Sequence, residues 1–525
     1  MDLIGQAAWE GLLIVLSWPN ILIPVAGTLL AMTFSILPGL SGAALMALMV
    51  PLTYQWAPVP VLLLFGALVG GATFMGSATA ILFNIPGTAP NAATMLDGYP
   101  LAQAGQAKTA LGCSAAASAL GSSFGIFVLL LLIPVVGALV MLFGPAENLM
   151  LAIWGLAMIV TVIRGSVLKG LAVALFGLLL SFVGFDPRTS ELRYTLDTLY
   201  LQDGLSLVPV FLGIFAVAEV IDLMVSGRST ISGSTRLEQL TGSATAGVRS
   251  VLRHFGLFLK SSVIGTIVGV IPGVGGTAAA FVAYGEAARS AGPGGTFGRG
   301  DIRGVIAPEA ANDAKDGGAL LPALAFGIPG SAGTAILIGV LALHGIRPGE
   351  ELMTTQLPLA FVLIWSLFLS NWMTSLVGLS LVGPLSRLTV VPTHRVVLPI
   401  LVLAAAGAFA YQGRIGDVWL TFGFGVAGYG MKRFGWPRVA FIIAFVLGPM
   451  FELNLHLTLS LQRLGRIQFW SRPVVIALGI LLVSTVWLRR DRVAAAIRYP
   501  KEGPDRTPGR GRPSAGPDAR GSGDR

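Results

Sequence analysis

Four Pro-Gly steps lie inside stretches that are otherwise apolar, and they form two matched pairs. The first pair is Ile36-Leu37-Pro38-Gly39-Leu40-Ser41-Gly42 and Phe83-Asn84-Ile85-Pro86-Gly87-Thr88-Ala89. The second is Val270-Ile271-Pro272-Gly273-Val274-Gly275-Gly276 and Phe326-Gly327-Ile328-Pro329-Gly330-Ser331-Ala332. The Pro–Pro spacing is 48 residues in the first pair and 57 in the second, and the excess fits the Gly-rich insertion Gly292–Gly300. Proline removes a backbone donor and breaks a helix, while glycine opens dihedral angles closed to other residues. In lipid, broken backbone is tolerated only where it is buried in protein or lines a cavity. Half-helix N-termini offer free N–H groups and the positive end of the helix dipole, which suits a carboxylate. The chemistry expected is therefore binding of an organic anion at Pro38, Gly39, Leu40, Ser41, Asn84, Pro86, Gly87, Thr88, Pro272, Gly273, Gly275, Gly276, Pro329, Gly330, Ser331 and Thr334. The hydroxyls among them can donate to the anion or, with carbonyls, hold Na+ near Ser41, Thr88 and Ser331. One Pro-Gly step is a weak signal, because kinks and small residues are common in membrane helices. Two pairs in the same order point to a transporter built from inverted repeats with a midplane site.

Ionisable residues in apolar surroundings are the next candidates. Asp97 lies in Asp97-Gly98-Tyr99-Pro100, a turn signature, and reads as a surface turn or as a gate or ion-linked carboxylate. Glu309, Asn312, Asp313 and Asp316 interrupt an apolar region; at membrane depth they are functional, and otherwise they form an aqueous loop. Lys315 can pair with a neighbouring acid or with Glu309. Glu219 and Asp222 fit an interface, and Glu147 suits the first turn of a helix. The four histidines are scattered and suggest no metal site. The single cysteine, Cys113, excludes a disulfide framework. No G-x-x-x-x-G-K-[ST] stretch is present, so nothing supports ATP drive within the chain. The loose G-x-G-x-x-A match at Gly273–Ala278 has no βαβ unit around it. Gly39-Leu40-Ser41-Gly42 matches an intramembrane serine protease pattern, but the base would have to be His344, and the matched repeat has Gly275 in place of Ser41.

The elements that must position these residues are membrane helices. The chain of 525 residues is 54% hydrophobic and 11% charged, with a mean hydropathy of +0.80. Soluble proteins carry about 25% charge. Glycine, at 68 residues, is about twice its usual share of roughly 7%. The apolar runs are continuous rather than alternating, which excludes a β-barrel. The fold class expected is an all-α polytopic membrane protein with about 10–13 membrane segments, in two inverted repeats with broken helices or re-entrant hairpins. The domains expected are a first repeat over 1–225, a cytoplasmic linker over 226–254, a second repeat over 255–488 and a basic, disordered cytoplasmic tail over 489–525. That tail holds ten Lys/Arg and five Asp/Glu, so it supplies +5 of the formal +9. The charge therefore gives no reason to expect nucleic acid. The first 107 residues carry no Lys or Arg. By the positive-inside rule the N-terminus faces outward and the C-terminus inward, which sets the two halves in opposite orientations.

Long stretches around these motifs resemble the large membrane subunit of tripartite tricarboxylate transporters, the TctA family. They are the PGLSG stretch, GGATFMGSATAILFNIPGTAPNAATMLDGYPLAQAGQA (70–107), PGVGG, and APEAANDAKDGGALLPALAFGIPGSAGTAILIGVLALHGIRPGEE (307–351). The resemblance covers residues 15–485. It implies a permease of the bacterial inner membrane that works with a small four-helix membrane subunit and a periplasmic substrate-binding protein. It also implies uptake of citrate-like or other organic carboxylates coupled to Na+ or H+, with no other cofactor. Where the family pattern has Asn-Asn after PEAA, this chain has Asn312-Asp313, and it adds Lys315-Asp316. The competing readings are a stand-alone secondary carrier or channel and, more remotely, a protease using Ser41.

Overall fold

A computed structural model describes residues 2–37, 40–162, 167–186, 189–226, 241–292, 294–386 and 393–487. Pro38, Gly39, residues 227–240 of the expected linker and the whole basic tail lie outside these residues. In chain order the first half holds α1 (Asp2–Leu16), α2 (Leu22–Ser35), α3 (Gly42–Thr53), α4 (Pro58–Gly71), α5 (Thr73–Phe83), α6 (Asn91–Leu101), α7 (Ala107–Val140), α8 (Pro145–Val162), α9 (Val167–Ser181), α10 (Leu207–Phe211) and α11 (Ala218–Ser226). The second half holds α12 (Ala244–Arg253), α13 (Phe255–Val270), α14 (Gly275–Ser290), α15 (Arg303–Phe326), α16 (Ala332–Leu343), α17 (Glu350–Thr354), α18 (Leu357–Ser386), α19 (Thr393–Gln412), α20 (Ile415–Arg433), α21 (Arg438–Arg463) and α22 (Pro473–Trp487). Among the described residues the β structure is one short antiparallel pair, Gly184–Phe185 with Leu192–Arg193.

Six of these segments are long and apolar enough to cross a membrane, α12 and α13 form a pair bent by 80°, and six shorter helices are apolar. This is an all-α polytopic membrane protein. Three of the shorter helices, α2, α3 and α16, adjoin Pro-Gly steps, as half-helices would. The segment Asn91–Val140 is too long for one crossing. It folds back at Gly105, where φ is +76°.

Small residues set the helix crossings. A side chain at Gly121 or Gly125 of α7 would strike the backbone of Ala310 or Ala314 of α15. Gly265 and Gly269 of α13 meet Ala311 and Lys315 of α15 in the same way. Between α18 and α4, Ser366, Ser370 and Thr374 donate to the carbonyls of Leu63, Ala67 and Gly71, at 2.5, 2.7 and 3.2 Å. Close backbone approach and hydroxyl bonds replace the hydrophobic effect where the surroundings are lipid.

The packing repeats when the halves are exchanged. The pairs α2–α4, α4–α18 and α1–α18 in one arrangement become α13–α15, α15–α7 and α12–α7 in the other. The registers also give directions. α6 runs antiparallel to α15, since Thr94 meets Glu309 while Leu101 meets Gly300. α5 runs with α6, since Ser77 meets Asn91 and Ile81 meets Gly98. α4 and α5 count as one apolar segment, Pro58–Phe83. That segment therefore opposes α15, its counterpart in the second half.

Candidate functional site

The described Pro-Gly steps, at 86–87, 272–273 and 329–330, each sit between two helices, as expected. α5 ends at Asn84 and α15 ends at Gly327, both left-handed with φ of +56° and +67°. From these matched caps each chain runs back along the helix it has just left. Gly87 N–H donates to the Gly76 carbonyl at 3.2 Å, and Gly330 lies against Ala319. New helices then start at Asn91 and Ala332.

The four breaks meet in a ring. A Cβ on Gly87 would stand 2.8 Å from the carbonyl oxygen of Ser35, at the end of α2. One on Gly276 would stand 3.1 Å from Pro90 and 2.6 Å from Cε of Lys315. One on Gly330 would stand 2.9 Å from the Gly269 carbonyl oxygen, and one on Gly333 would stand 3.5 Å from Sδ of Met46 in α3. The structure thus gathers the described stretches around Leu40–Ser41, Asn84–Thr88, Pro272–Gly276 and Pro329–Thr334. Pro38 and Gly39 lie outside the described residues. Asn84 is exposed and serves as a helix cap.

The tip hydroxyls first serve the local backbone. Ser41 Oγ accepts from Ala44 N–H at 3.2 Å. Ser331 and Thr334 form a reciprocal capping box at the start of α16. Thr88 donates through N–H and Oγ1 to Asn91 Oδ1 at 3.0 and 2.5 Å. The protease reading has no support in this geometry. Both ring nitrogens of His344 lie on backbone carbonyls, Val340 at 2.8 Å and Thr53 at 3.1 Å, and Thr53 is at the opposite end of α3 from Ser41.

The acidic run is no aqueous loop. Glu309, Asn312, Asp313 and Asp316 are all buried within α15. Glu309 sits in a cage of hydroxyls: Ser77 Oγ at 2.7 and 2.8 Å from its two oxygens, Ser114 at 2.7 Å, Ser118 at 3.1 Å, and Thr94. Asn91 Nδ2 donates to Ser77 Oγ at 2.6 Å, so a continuous chain of bonds links Thr88 in the tip to Glu309. Lys315 pairs with Asp316. Both oxygens of Asp313 are buried and accept no hydrogen bond from the described residues.

The turn expected at Asp97-Gly98-Tyr99-Pro100 is instead part of α6. Asp97 is fully buried and accepts from the backbone N–H of Gly300 and Asp301, each at 2.9 Å, and from Tyr284 Oη at 2.9 Å. These partners lie about 200 residues away and outcompete the local turn that the same side chain would cap. Glu219 is buried against Lys432 and Arg438 at 2.5 and 2.7 Å, which gives it a structural ion-pair role.

Ser77, Asn91, Thr94, Ser114 and Ser118 were not among the expected site residues. The available signal was the four-residue spacing of Ser114, Ser118 and Ser122, which puts one hydroxyl per turn on one face of α7.

The chain matches the family described as "Tripartite tricarboxylate transporter TctA family" over residues 21–443. It is similar to the "Uncharacterized 52.8 kDa protein in TAR-I ttuC' 3'region" of Agrobacterium vitis, with 30% identity over 501 residues, covering 94% of this chain and 99% of that protein. It is also similar to the "Uncharacterized protein in TAR-II ttuC' 3'region" of the same organism, with 29% identity over 237 residues, covering 44% of this chain and 98% of that protein. No solved structure matches the chain.

Proposed function

Because the chain belongs to the tripartite tricarboxylate transporter TctA family, we propose that it is the large permease subunit of a binding-protein-dependent secondary transporter. Its place is the bacterial inner membrane. A periplasmic binding protein delivers an organic di- or tricarboxylate, and a small four-helix membrane subunit completes the assembly. The anion lodges among the broken-helix tips, and a cation, Na+ or H+, offsets its charge. Importing an anion against an inside-negative potential costs about 2.3 kcal/mol per charge per 100 mV, so a polyanion needs such a partner. One module then carries the tips past a scaffold to open the site inward.

The observation that carries this reading is the ring of four helix breaks, two from each of two oppositely directed halves. Broken backbone is tolerated in a membrane only where it is buried in protein or lines a cavity, and helix N-termini gathered there favour an anion. Reconstitution in vesicles tests it. Uptake of labelled citrate that requires both the binding protein and a cation gradient is the expected result. Uptake by this chain alone would establish a stand-alone carrier instead.

A further inference from the structure

Glu309 and Asp313 lie one turn apart on the same helix, both buried, in opposite surroundings. Glu309 receives hydroxyls from three helices, the pattern that satisfies an ionised carboxylate, which only accepts. Asp313 receives no donor from the described residues on either oxygen. α7 runs parallel to α15, and its Ser114 and Ser118 serve Glu309. Ser122, one turn further along α7, therefore lies at the level of Asp313, and its Oγ is also buried without a partner. Ser118 Oγ donates to Glu309 at 3.1 Å and lies within reach of Asp313 as well.

The Lys315 ammonium lies near Asp313. On its own helix Asp313 also faces Glu309 and Asp316, and Lys315 pairs with Asp316. α7 contributes hydroxyls and the buried thiol of Cys113 near Glu309. α5 and α6 contribute Ser77 and Thr94, which serve Glu309, and Asp97, which is held by Gly300, Asp301 and Tyr284. Two adjacent buried carboxylates do not both ionise without a cation between them. Around Asp313 the backbones of α7 and α15 touch, at Gly121 on Ala310 and at Gly125 on Ala314 and Gly317. That packing suits an occupant with no radius and no hydration shell.

We propose that Asp313 is the proton carrier of the transport cycle, binding H+ on one carboxylate oxygen from water on one side of the membrane and releasing it to water on the other. The inference rests on the permease reading above and names its coupling ion. Loading forms one O–H bond on Asp313, and release returns that proton to water as the bond breaks, with no change of oxidation state. Glu309, held by its hydroxyl donors one turn away, is the acidic neighbour beside which Asp313 loads.

The test is infrared difference spectroscopy of the full-length chain in lipid nanodiscs, between acidic and alkaline buffer. The expected result is a protonated-carboxyl carbonyl band in acid that is lost in Asp313→Asn, retained in Asp316→Asn, and displaced but present in Asp313→Glu. Na+ added to the acid sample leaves the band unchanged. In vesicles with the binding protein and the small subunit, an imposed pH gradient raises citrate accumulation at least tenfold in the wild type and not at all in Asp313→Asn. A band that survives in Asp313→Asn, a band discharged by Na+, or pH-driven accumulation by that variant would overturn the proposal. A wild type that shows the Asp313 band yet moves no citrate under any gradient would overturn the permease reading and leave the protonation site standing.

Discussion

The tip at Gly87 gives the sharpest steric test. A Cβ there would lie 2.8 Å from the carbonyl oxygen of Ser35 and 2.9 Å from Oγ1 of Thr79, with the Cα of Gly76 nearer still. Two of these three obstacles are backbone, in helices that other contacts hold in place, so they yield little. Overpacking of this kind costs about 1–3 kcal/mol, and backbone obstacles put Gly87→Ala at about 3 kcal/mol. That is roughly a 100-fold loss in the population with the tip seated. At Gly330 the added Cβ meets one carbonyl at 2.9 Å and the Ala319 Cβ at 3.1 Å, fewer and longer contacts than at Gly87. Gly330→Ala should therefore cost less, about 1–2 kcal/mol. Gly275 is the control: its φ is +66° but nothing lies within 4 Å, so Gly275→Ala carries only the left-handed penalty of about 1 kcal/mol. Thermal unfolding of the three variants in one detergent should rank them in that order. Gly87→Val and Gly330→Val should each abolish citrate uptake while the protein still inserts, because insertion is decided by the apolar helices on either side. Gly87→Ala behaving as wild type in both assays, or Gly275→Ala proving the most damaging, would refute the seated-tip geometry.

Three further outcomes follow from the same contacts. Ser77→Ala removes a donor to the buried Glu309 carboxylate and strands Asn91 Nδ2, so it should lower stability by about 1.5–3 kcal/mol in thermal unfolding. Asn84→Gly should leave the melting temperature within a degree or so of wild type, whereas Asn84→Val should cost about 1–2 kcal/mol, because a β-branched residue resists the left-handed φ of +56°. In the loop before α15, burial opposes ionisation of Asp301, but bonds from Arg303 and Thr296 outweigh it and bring the carboxyl from its ordinary 3.8 down to about 2. A carboxyl depressed in the fold stabilises above its ordinary value and loses that stability as pH falls through the depressed one. Stability should therefore drop between about pH 4 and pH 2, and Arg303→Leu should flatten that step in a pH series of melting curves.

The punctuation of the fold was readable because it is local. Pro-Gly inside an apolar run breaks a helix wherever it stands, and the order of the four breaks disclosed the repeat. The left-handed caps at Asn84 and Gly327 occupy the same place in both motifs for the same reason. What the chain does after each break depends on distant residues. The loop at Gly87 runs back along α5 because Gly76 has no side chain to block it, and nothing near Gly87 in sequence says so. Asp97 shows the converse. Its turn signature is strong locally, but N–H groups at 300 and 301 bind it more completely than its own turn would, and the segment stays helical. The acids of α15 mark the limit most clearly. Glu309 and Asp313 are chemically alike and four residues apart, so sequence assigns them one role. Their difference lies in α5, α6 and α7, whose hydroxyls reach the first and miss the second. Hydroxyl donors offset part of the cost of burying a charged carboxylate, and a carboxylate without them bears that cost in full. Placing both on one helix, beside tips linked to the first by Thr88, Asn91 and Ser77, sets two carboxyls of unequal surroundings next to the ring of broken helices.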